Sequence, residues 1–444
     1  MSASARQTAY SALMRVEQAQ SYSNITLDSE LEKSSLSRRD RSFAAKLFYG
    51  VLENKLLLDY NIAVRSRLSV RETDTGVLVL LRLGLYQLFF ADSVPASAAV
   101  NETVAMCREN GFGSAAGFVN GILRAAAREG RLRLPDPKKG RTKYLSIKYS
   151  CPEKITALWR KSYGDELTAG LLGSLAERPP LCIRVNTLRT TAEELKTSLE
   201  ESGVSAELQG TVKDCLLLSN TGAIEKLPQF EKGLFHVQDS ASQLCCALLA
   251  PQEGDILLDM CSAPGGKSFT CAELMNGRGS ITALDLYSSR LGLVSGGAER
   301  LGIDIIKTIA CDAAGFDTDI KADRVLCDVP CSGLGIIRRK PELRYKTELG
   351  TEELPELQYR ILCNASRFVK SGGRLLYSTC TLNPAENSGN AKRFLGEHED
   401  FIPVPLSLPE GIKRGISGED ESMITLFPHI NGTDGFFISL FQRK

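Results

Sequence analysis

The stretch ILLDMCSAPGGKS, residues 256–268, decides the fold. An apolar run ends in Asp259, a short turn follows, and Gly265 and Gly266 stand where the next helix should begin. The same alternation recurs downstream, with strand-like segments ITALDL (281–286), IKTIACD (306–312), DRVLCDVP (323–330) and RLLYSTC (374–380) separated by helical ones. That pattern predicts a parallel, doubly wound sheet beyond residue 236. Two late β-like runs, MITLFPH (423–429) and GFFISLF (435–441), are expected to extend it at an edge.

Upstream the texture changes twice. Between residues 141 and 235, β-rich pieces such as Leu181 to Val185 and Cys215 to Leu218 alternate with helical ones such as Ala192 to Glu200, which fits a small α+β domain. Residues 1–140 read as all-helical, with Tyr10, Leu13 and Met14, and Phe43, Leu47 and Val51, at helical spacing. GFGSAAG (111–117) lacks the GxGxxG spacing and follows no strand, so it reads as a turn between helices. Three domains are expected, at 1–140, 141–235 and 236–444, which suits a chain of 444 residues.

Composition excludes several classes. Hydrophobic residues at 43% and charged residues at 24% argue against disorder. The most apolar stretch, Gly76 to Ala91, is interrupted by Arg82 and reads as a buried helix, not a membrane span. The N-terminus MSASARQTAYSALMRVEQ shows no secretory signal, so a cytoplasmic location and no membrane partner are expected. The thirteen cysteines are scattered without CxxC spacing and there are three histidines, His236, His398 and His429, so reduced thiols and no metal are expected. Cys245 and Cys246 read as small buried hydrophobes. The net charge of +1 divides into +8 over residues 1–150 and −7 over the remainder. The basic run from Arg124 to Lys148 suits a phosphate backbone or a solvated linker, and both readings stand together.

Doubly wound sheets bind ligands beyond the carboxyl ends of their strands. After the first strand, the two glycines let backbone N–H groups approach a ligand at a helix N-terminus, where a carboxylate is favoured. Asp285, ending the second strand 26 residues beyond Asp259, is placed to accept from ribose hydroxyls, and Asp312 after the third could meet an adenine edge. Each aspartate alone could equally be a helix cap. GGKS ends as a P-loop does, but Cys261 occupies the position of the required first glycine, which decides against a phosphate cradle.

The fourth and fifth strands end in thiols, Cys331 following Asp328 and Cys380 closing its strand. One such cysteine is more often a packing residue; two thiols and an acid around one crevice suit covalent catalysis. Carbon 5 of cytosine is a poor nucleophile until a thiolate adds at carbon 6 and makes it enamine-like. A carboxylic acid near N3 and the exocyclic amine would stabilise the electron-rich intermediate, and Asp328 is placed for this.

At these motifs the chain resembles the RNA cytosine-C5 methyltransferases, and in particular the ribosomal small-subunit methyltransferase B family, also called Sun or Fmu. The likeness runs through QDSASQ (238–243), DMCSAPGGK, ALD, CDVPCSG, RRKPELRY (338–345) and STCTLNPAEN. RRDRSFAAKLFYGVLE (38–53) and FVNGILR (118–124) resemble its helical NusB-like RNA-binding domain. The resemblance implies an all-α NusB-like N-terminal domain, a small α+β middle domain and a Rossmann-like S-adenosylmethionine-dependent methyltransferase domain. It implies 16S ribosomal RNA as substrate; a monomer is expected, and the sequence does not identify the oligomeric state. Cys261, Ser262, Ala263, Pro264, Gly265, Gly266, Lys267, Asp285, Asp312 and Asp328 would contact cofactor or base, Cys380 would be the nucleophile, and Cys331 would assist product release. The family often has histidine where this chain has Cys151, outside the catalytic motifs. An RNA-binding assembly factor with a remnant catalytic domain is the rival reading, against which the intact Asp285, Asp328, Cys331 and Cys380 argue.

Overall fold

The computed structural model describes residues 4–19, 23–66, 68–345 and 353–444. Residues 1–3, which begin the N-terminal stretch read above, lie outside the described residues. The chain divides into two compact units, Met1–Glu177 with Ile337–Thr347, and Arg178–Ile336 with Glu348–Lys444.

The first unit is helical. Tyr10, Leu13, Leu47 and Val51 are buried, so the spacing seen in the sequence marks the inner faces of Ala5–Ala19 and Arg38–Glu53. Ser37 caps the latter helix by accepting from the backbone N–H of Asp40. Between Ala96–Glu109 and Ala116–Glu129 the GFGSAAG stretch supplies one tight turn, Gly113–Ala115. The helix Thr75–Phe90 is buried from Gly76 to Gln87, as its unbroken apolar character requires. Gly50 lets Arg38–Glu53 approach it closely, because a Cβ there would lie 2.0 Å from Cζ of Tyr86. No helix among the described residues is long and apolar enough to cross a membrane.

Arg82, the charge that interrupts this buried helix, is fully engaged. Its Nε and Nη2 donate to Asp59 at 2.6 and 2.9 Å and its Nη1 to Glu17 at 2.9 Å, while Lys55 also pairs with Glu17 at 2.6 Å. Burial works to raise the Glu17 carboxyl, but Arg82 and Lys55 together hold it below its ordinary value.

Residues Ile337–Thr347 belong to this helical unit although their neighbours in sequence do not. Glu342 accepts from the N–H and hydroxyl of Ser23 at 3.3 and 2.7 Å. Buried Arg344 donates through Nη1 to the carbonyls of Ser150 and Glu53 at 3.0 and 3.3 Å, and the Tyr345 hydroxyl donates to those of Leu52 and Ser150 at 3.1 and 3.2 Å. RRKPELRY therefore packs as part of the helical unit. Cys151 is buried there, and burial pushes its thiol up to about 11.

The second unit opens with four strands, β1 (Leu181–Val185), β2 (Ser205–Leu208), β3 (Cys215–Ser219) and β4 (Phe235–Val237), in the antiparallel order β2-β3-β1-β4. The helix Ala192–Glu201 begins at a capping box formed by Thr191 and Glu194. Its buried Leu195 and Leu199 share a core with Ile183, Val185 and Leu216 of the sheet. The expected α+β texture is present, with β4 added at the edge.

The chain then builds an eight-stranded sheet from β5 (Ile256–Asp259), β6 (Ser280–Asp285), β7 (Ile306–Ala310), β8 (Ala322–Asp328), β9 (Val369–Thr379), β10 (Phe401–Pro403), β11 (Met423–Leu426) and β12 (Phe436–Arg443). Five strands are parallel in the order β9-β8-β5-β6-β7. The late runs extend the sheet as anticipated, β12 pairing antiparallel with β9 and carrying β10 and β11.

Replacing Arg82 with leucine should destabilise the helical unit by about 3–5 kcal/mol, because Asp59 keeps a largely buried charge once its guanidinium partner is removed. Chemical denaturation followed by helical circular dichroism measures this. The Glu17 contribution is complete above that group's ordinary pKa and is lost as pH falls through the lowered folded value, so the variant and the parent should converge in stability in acid.

Candidate active site

Strand order reverses at β5: the chain moves outward through β6 and β7 on one side, then returns to lay β8 and β9 on the other. The crevice beyond the carboxyl ends of β5 and β8 is therefore the place for a ligand. Most of the candidate residues follow these two strands or their neighbours.

The loop after β5 is held from both sides. The Ser262 N–H donates to the Leu284 carbonyl at 2.7 Å, next to the end of β6, and the Gly265 N–H donates to the Ser262 carbonyl at 2.8 Å. Gly265 takes φ 109°, and a Cβ there would meet Cζ of Phe269 at 2.4 Å, so both conformation and space demand glycine. The helix Gly266–Leu274 then starts. Cys261 is partly exposed, Ala263 is buried, the Ala263–Pro264 peptide is cis, and the buried hydroxyl of Ser262 has no hydrogen-bond partner among the described residues. Behind the loop, Asp259 accepts from the Ser268 hydroxyl at 2.6 Å. Burial pushes this carboxyl up to about 7, against the effect of the Ser268 bond.

Asp285 is buried at the end of β6. It accepts from the Tyr287 N–H at 3.1 Å and pairs with Arg290 at 3.2 Å; Arg290 also donates to the Ala263 carbonyl at 2.8 Å, linking Asp285 to the glycine loop. Asp312 lies two residues beyond β7, is exposed, and accepts from the Ala314 N–H at 2.9 Å, so it shapes its own turn. The neighbouring Cys311 N–H donates to the Asp285 carbonyl at 3.0 Å, which fixes that turn to β6.

Lys267, grouped with the glycine loop in the sequence, reaches across the switch point. Its Nζ lies 2.6 Å from Oδ2 of Asp328 and 5.2 Å from the Phe436 ring centroid, and the Ser378 hydroxyl donates to Oδ1 of Asp328 at 2.7 Å. Burial works to lower the lysine's affinity for its proton, but the Asp328 charge more than offsets this and the pKa is raised.

Cys331 and Cys380 come together at the ends of β8 and β9 with sulfur atoms 3.1 Å apart, both as free thiols. The hydrogen bond to Cys380, and then burial, push the Cys331 thiol well above its ordinary value. The Gly335 N–H donates to the Cys380 carbonyl at 3.0 Å, and the Gly435 N–H to the Gly335 carbonyl at 2.9 Å. A Cβ on Gly335 would fall 1.9 Å from the Gly435 oxygen, so this contact requires bare backbone.

Sequence reasoning assigned no role to Ser378, Glu386, Asn387 or Gln358, all of which support these loops. Glu386 and Asn387 lie in STCTLNPAEN, whose conspicuous run of polar residues after a strand was the available signal. They sit in the π-helical turn Ala385–Gly389. Thr379 donates its hydroxyl to Oδ1 of Asn387 at 2.6 Å, and Nδ2 of Asn387 donates to the Thr381 carbonyl at 2.9 Å, so one amide grips both neighbours of Cys380.

Comparison with known proteins gives matches along the whole chain. Residues 246–442 match the family model for 16S rRNA methyltransferase RsmB/F, residues 3–128 that of the NusB family, and residues 151–225 the ferredoxin-like domain of RsmF/B-like methyltransferases. The chain is 36% identical to a probable ribosomal RNA small subunit methyltransferase B of Bacillus subtilis, over 99% of both chains. It is 37% identical to a protein so named in Synechocystis, again over 99% of both. The crystal structure of PH0851 is similar with a TM-score of 0.82 and 28% identity, covering 99% of this chain and 98% of that one.

Replacing Asp285 with alanine should weaken S-adenosylmethionine binding by roughly tenfold or more, the effect of losing hydrogen bonds to a charged acceptor. Affinity for RNA should stay within about twofold, since the proposed partners are ribose hydroxyls and not phosphates. Calorimetric titration of each ligand separates the two, and unchanged cofactor affinity would remove Asp285 from the site.

Proposed function

The chain belongs to the ribosomal RNA small subunit methyltransferase B family, and from that premise we propose that it methylates carbon 5 of a cytosine in 16S ribosomal RNA through a covalent adduct at Cys380. The observation that carries this reading is the pair of free thiols 3.1 Å apart beside the Asp328–Lys267 pair.

S-adenosylmethionine supplies the methyl group. The residues present fit it: an unpartnered buried hydroxyl on Ser262, a glycine turn opening a helix, and a buried carboxylate on Asp285 converge on the β5–β6 side of the crevice. Cys261, Ser262, Ala263, Pro264, Gly265, Gly266 and Asp285 would hold it, with Asp312 bounding the adenine side.

On the opposite side, Cys380, its thiol proton given up to water, adds as a thiolate to carbon 6 of the cytosine and leaves carbon 5 electron-rich. Asp328, held by Lys267 and Ser378, would accept from the exocyclic amine and pass to N3 the proton it shares with Lys267, which neutralises the charge that builds up there. After methylation water takes the carbon 5 proton, the carbon 5–carbon 6 double bond re-forms, and Cys380 leaves with the carbon 6–sulfur electron pair as a thiolate; Cys331, already in contact with it, assists. In this reading residues 1–140 dock RNA, 141–235 form the middle domain and 236–444 perform catalysis. The site is proposed to work without metal, in a monomeric cytoplasmic enzyme.

Methyl transfer from labelled cofactor to small-subunit rRNA, followed by mapping, should place the label on carbon 5 of a cytosine. Cys380→Ala should bind cofactor and RNA yet lose turnover at least a hundredfold, a loss of about 3 kcal/mol in transition-state stabilisation. Cys331→Ala should accumulate protein joined to RNA, seen as a shifted band on a denaturing gel, and Cys331→Ala/Cys380→Ala should lose that band. Full turnover in both single variants would end the covalent reading.

A further inference from the structure

Behind the two thiols lies a buried carboxylate that the proposed chemistry does not use. Glu386 is 1% exposed and accepts four hydrogen bonds. Its Oε1 receives the Ser332 hydroxyl at 2.5 Å and Nδ2 of Asn383 at 2.9 Å; its Oε2 receives the Ser332 N–H and Nε2 of Gln358, each at 2.9 Å. Four donors fill the acceptor capacity of a carboxylate, and no other side chain offers as many acceptor sites in that space. Gln358 also donates to the carbonyl of Pro330, and the Ser332 hydroxyl lies 2.7 Å from that of Thr381. The residues flanking Cys331, Pro330 and Ser332, are thus tied through Glu386 to the loop that carries Cys380.

We propose that Glu386 is a positioning residue that sets the separation of Cys331 and Cys380, so that the second thiol stands ready when the first must leave. Asn387 fixes Cys380 from its own neighbours, and Glu386, one residue earlier on the same π-helical turn, fixes the Cys331 loop against it. The backbone is kinked at Asn387 (φ −109°, ψ −106°), and this kink lets two successive side chains face two different loops. The consequence for turnover rests on the release role proposed above for Cys331, whereas the clamp itself does not.

Glu386→Gln keeps the shape but turns one acceptor oxygen into a donor, so either the Ser332 and Gln358 pair or the Ser332 and Asn383 pair loses its partner. Two assays on the full-length protein read the result. In the absence of RNA, the azo oxidant diamide takes up the two thiol hydrogens as the disulfide forms, and peptide mapping follows the Cys331–Cys380 product. The variant should form that product at least tenfold more slowly than the parent while binding S-adenosylmethionine within twofold of it. With RNA, it should accumulate the covalent adduct seen with Cys331→Ala, and Glu386→Gln/Cys380→Ala should not. Disulfide formation at the parental rate would overturn the proposal. Slowed disulfide formation without adduct accumulation would support the clamp and count against the role given to Cys331. Should Glu386→Gln fail to fold, Ser332→Ala removes one arm of the clamp and is judged by the same outcomes.

Discussion

The ammonium of Lys267 and the carboxylate of Asp328 meet at 2.6 Å where the sheet reverses its strand order. Both charges are partly withdrawn from solvent, and each offsets the desolvation of the other. The pair pins the start of the helix after β5 to the end of β8, and the Ser378 hydroxyl on Asp328 carries the connection to β9. The glycine loop, the acidic side chain and the two thiols can be rigid relative to one another because this contact crosses the gap between their strands. It also gives Asp328 a constant electrostatic setting, held by a lysine whose proton is secured by the same carboxylate.

The parallel core of the sheet was legible because each strand is an apolar run ending in a residue of a different chemical kind, Asp259, Asp285, Asp328 and Cys380 among them. What joins these ends was not. Lys267 looked like part of a cofactor loop because its sequence neighbours are glycines, and the long side chain conceals its destination. Gln358, Ser378 and Glu386 act on residues 28 to 54 positions away, and nothing local in a Gln, Ser or Glu announces such a partner. Asp312 illustrates the opposite case, a strand-end acid whose visible work is to cap its own turn. RRKPELRY stood among catalytic motifs in the sequence, yet its buried contacts are with Ser23, Glu53 and Ser150, because packing follows space and not order along the chain.

The active-site loops share one construction rule. Close approach is made with glycine backbone at Gly265 and Gly335, and orientation is made with side-chain amides and carboxylates at Asn387 and Glu386. The two thiols therefore sit on segments that have little freedom to drift, which suits the proposed reaction, in which one sulfur adds and another stands beside it.

The membership of residues 337–345 in the helical unit has a consequence for synthesis. A chain emerging from the ribosome completes the helices up to residue 177 long before Glu342 and Arg344 exist to meet Ser23, Glu53 and Ser150. At roughly 5–20 residues per second the remaining stretch of about 160 residues takes some 8–30 s to appear. For that interval Ser23, Glu53 and Ser150 lack these partners, so the helical unit reaches its full set of contacts only after most of the second unit has been translated.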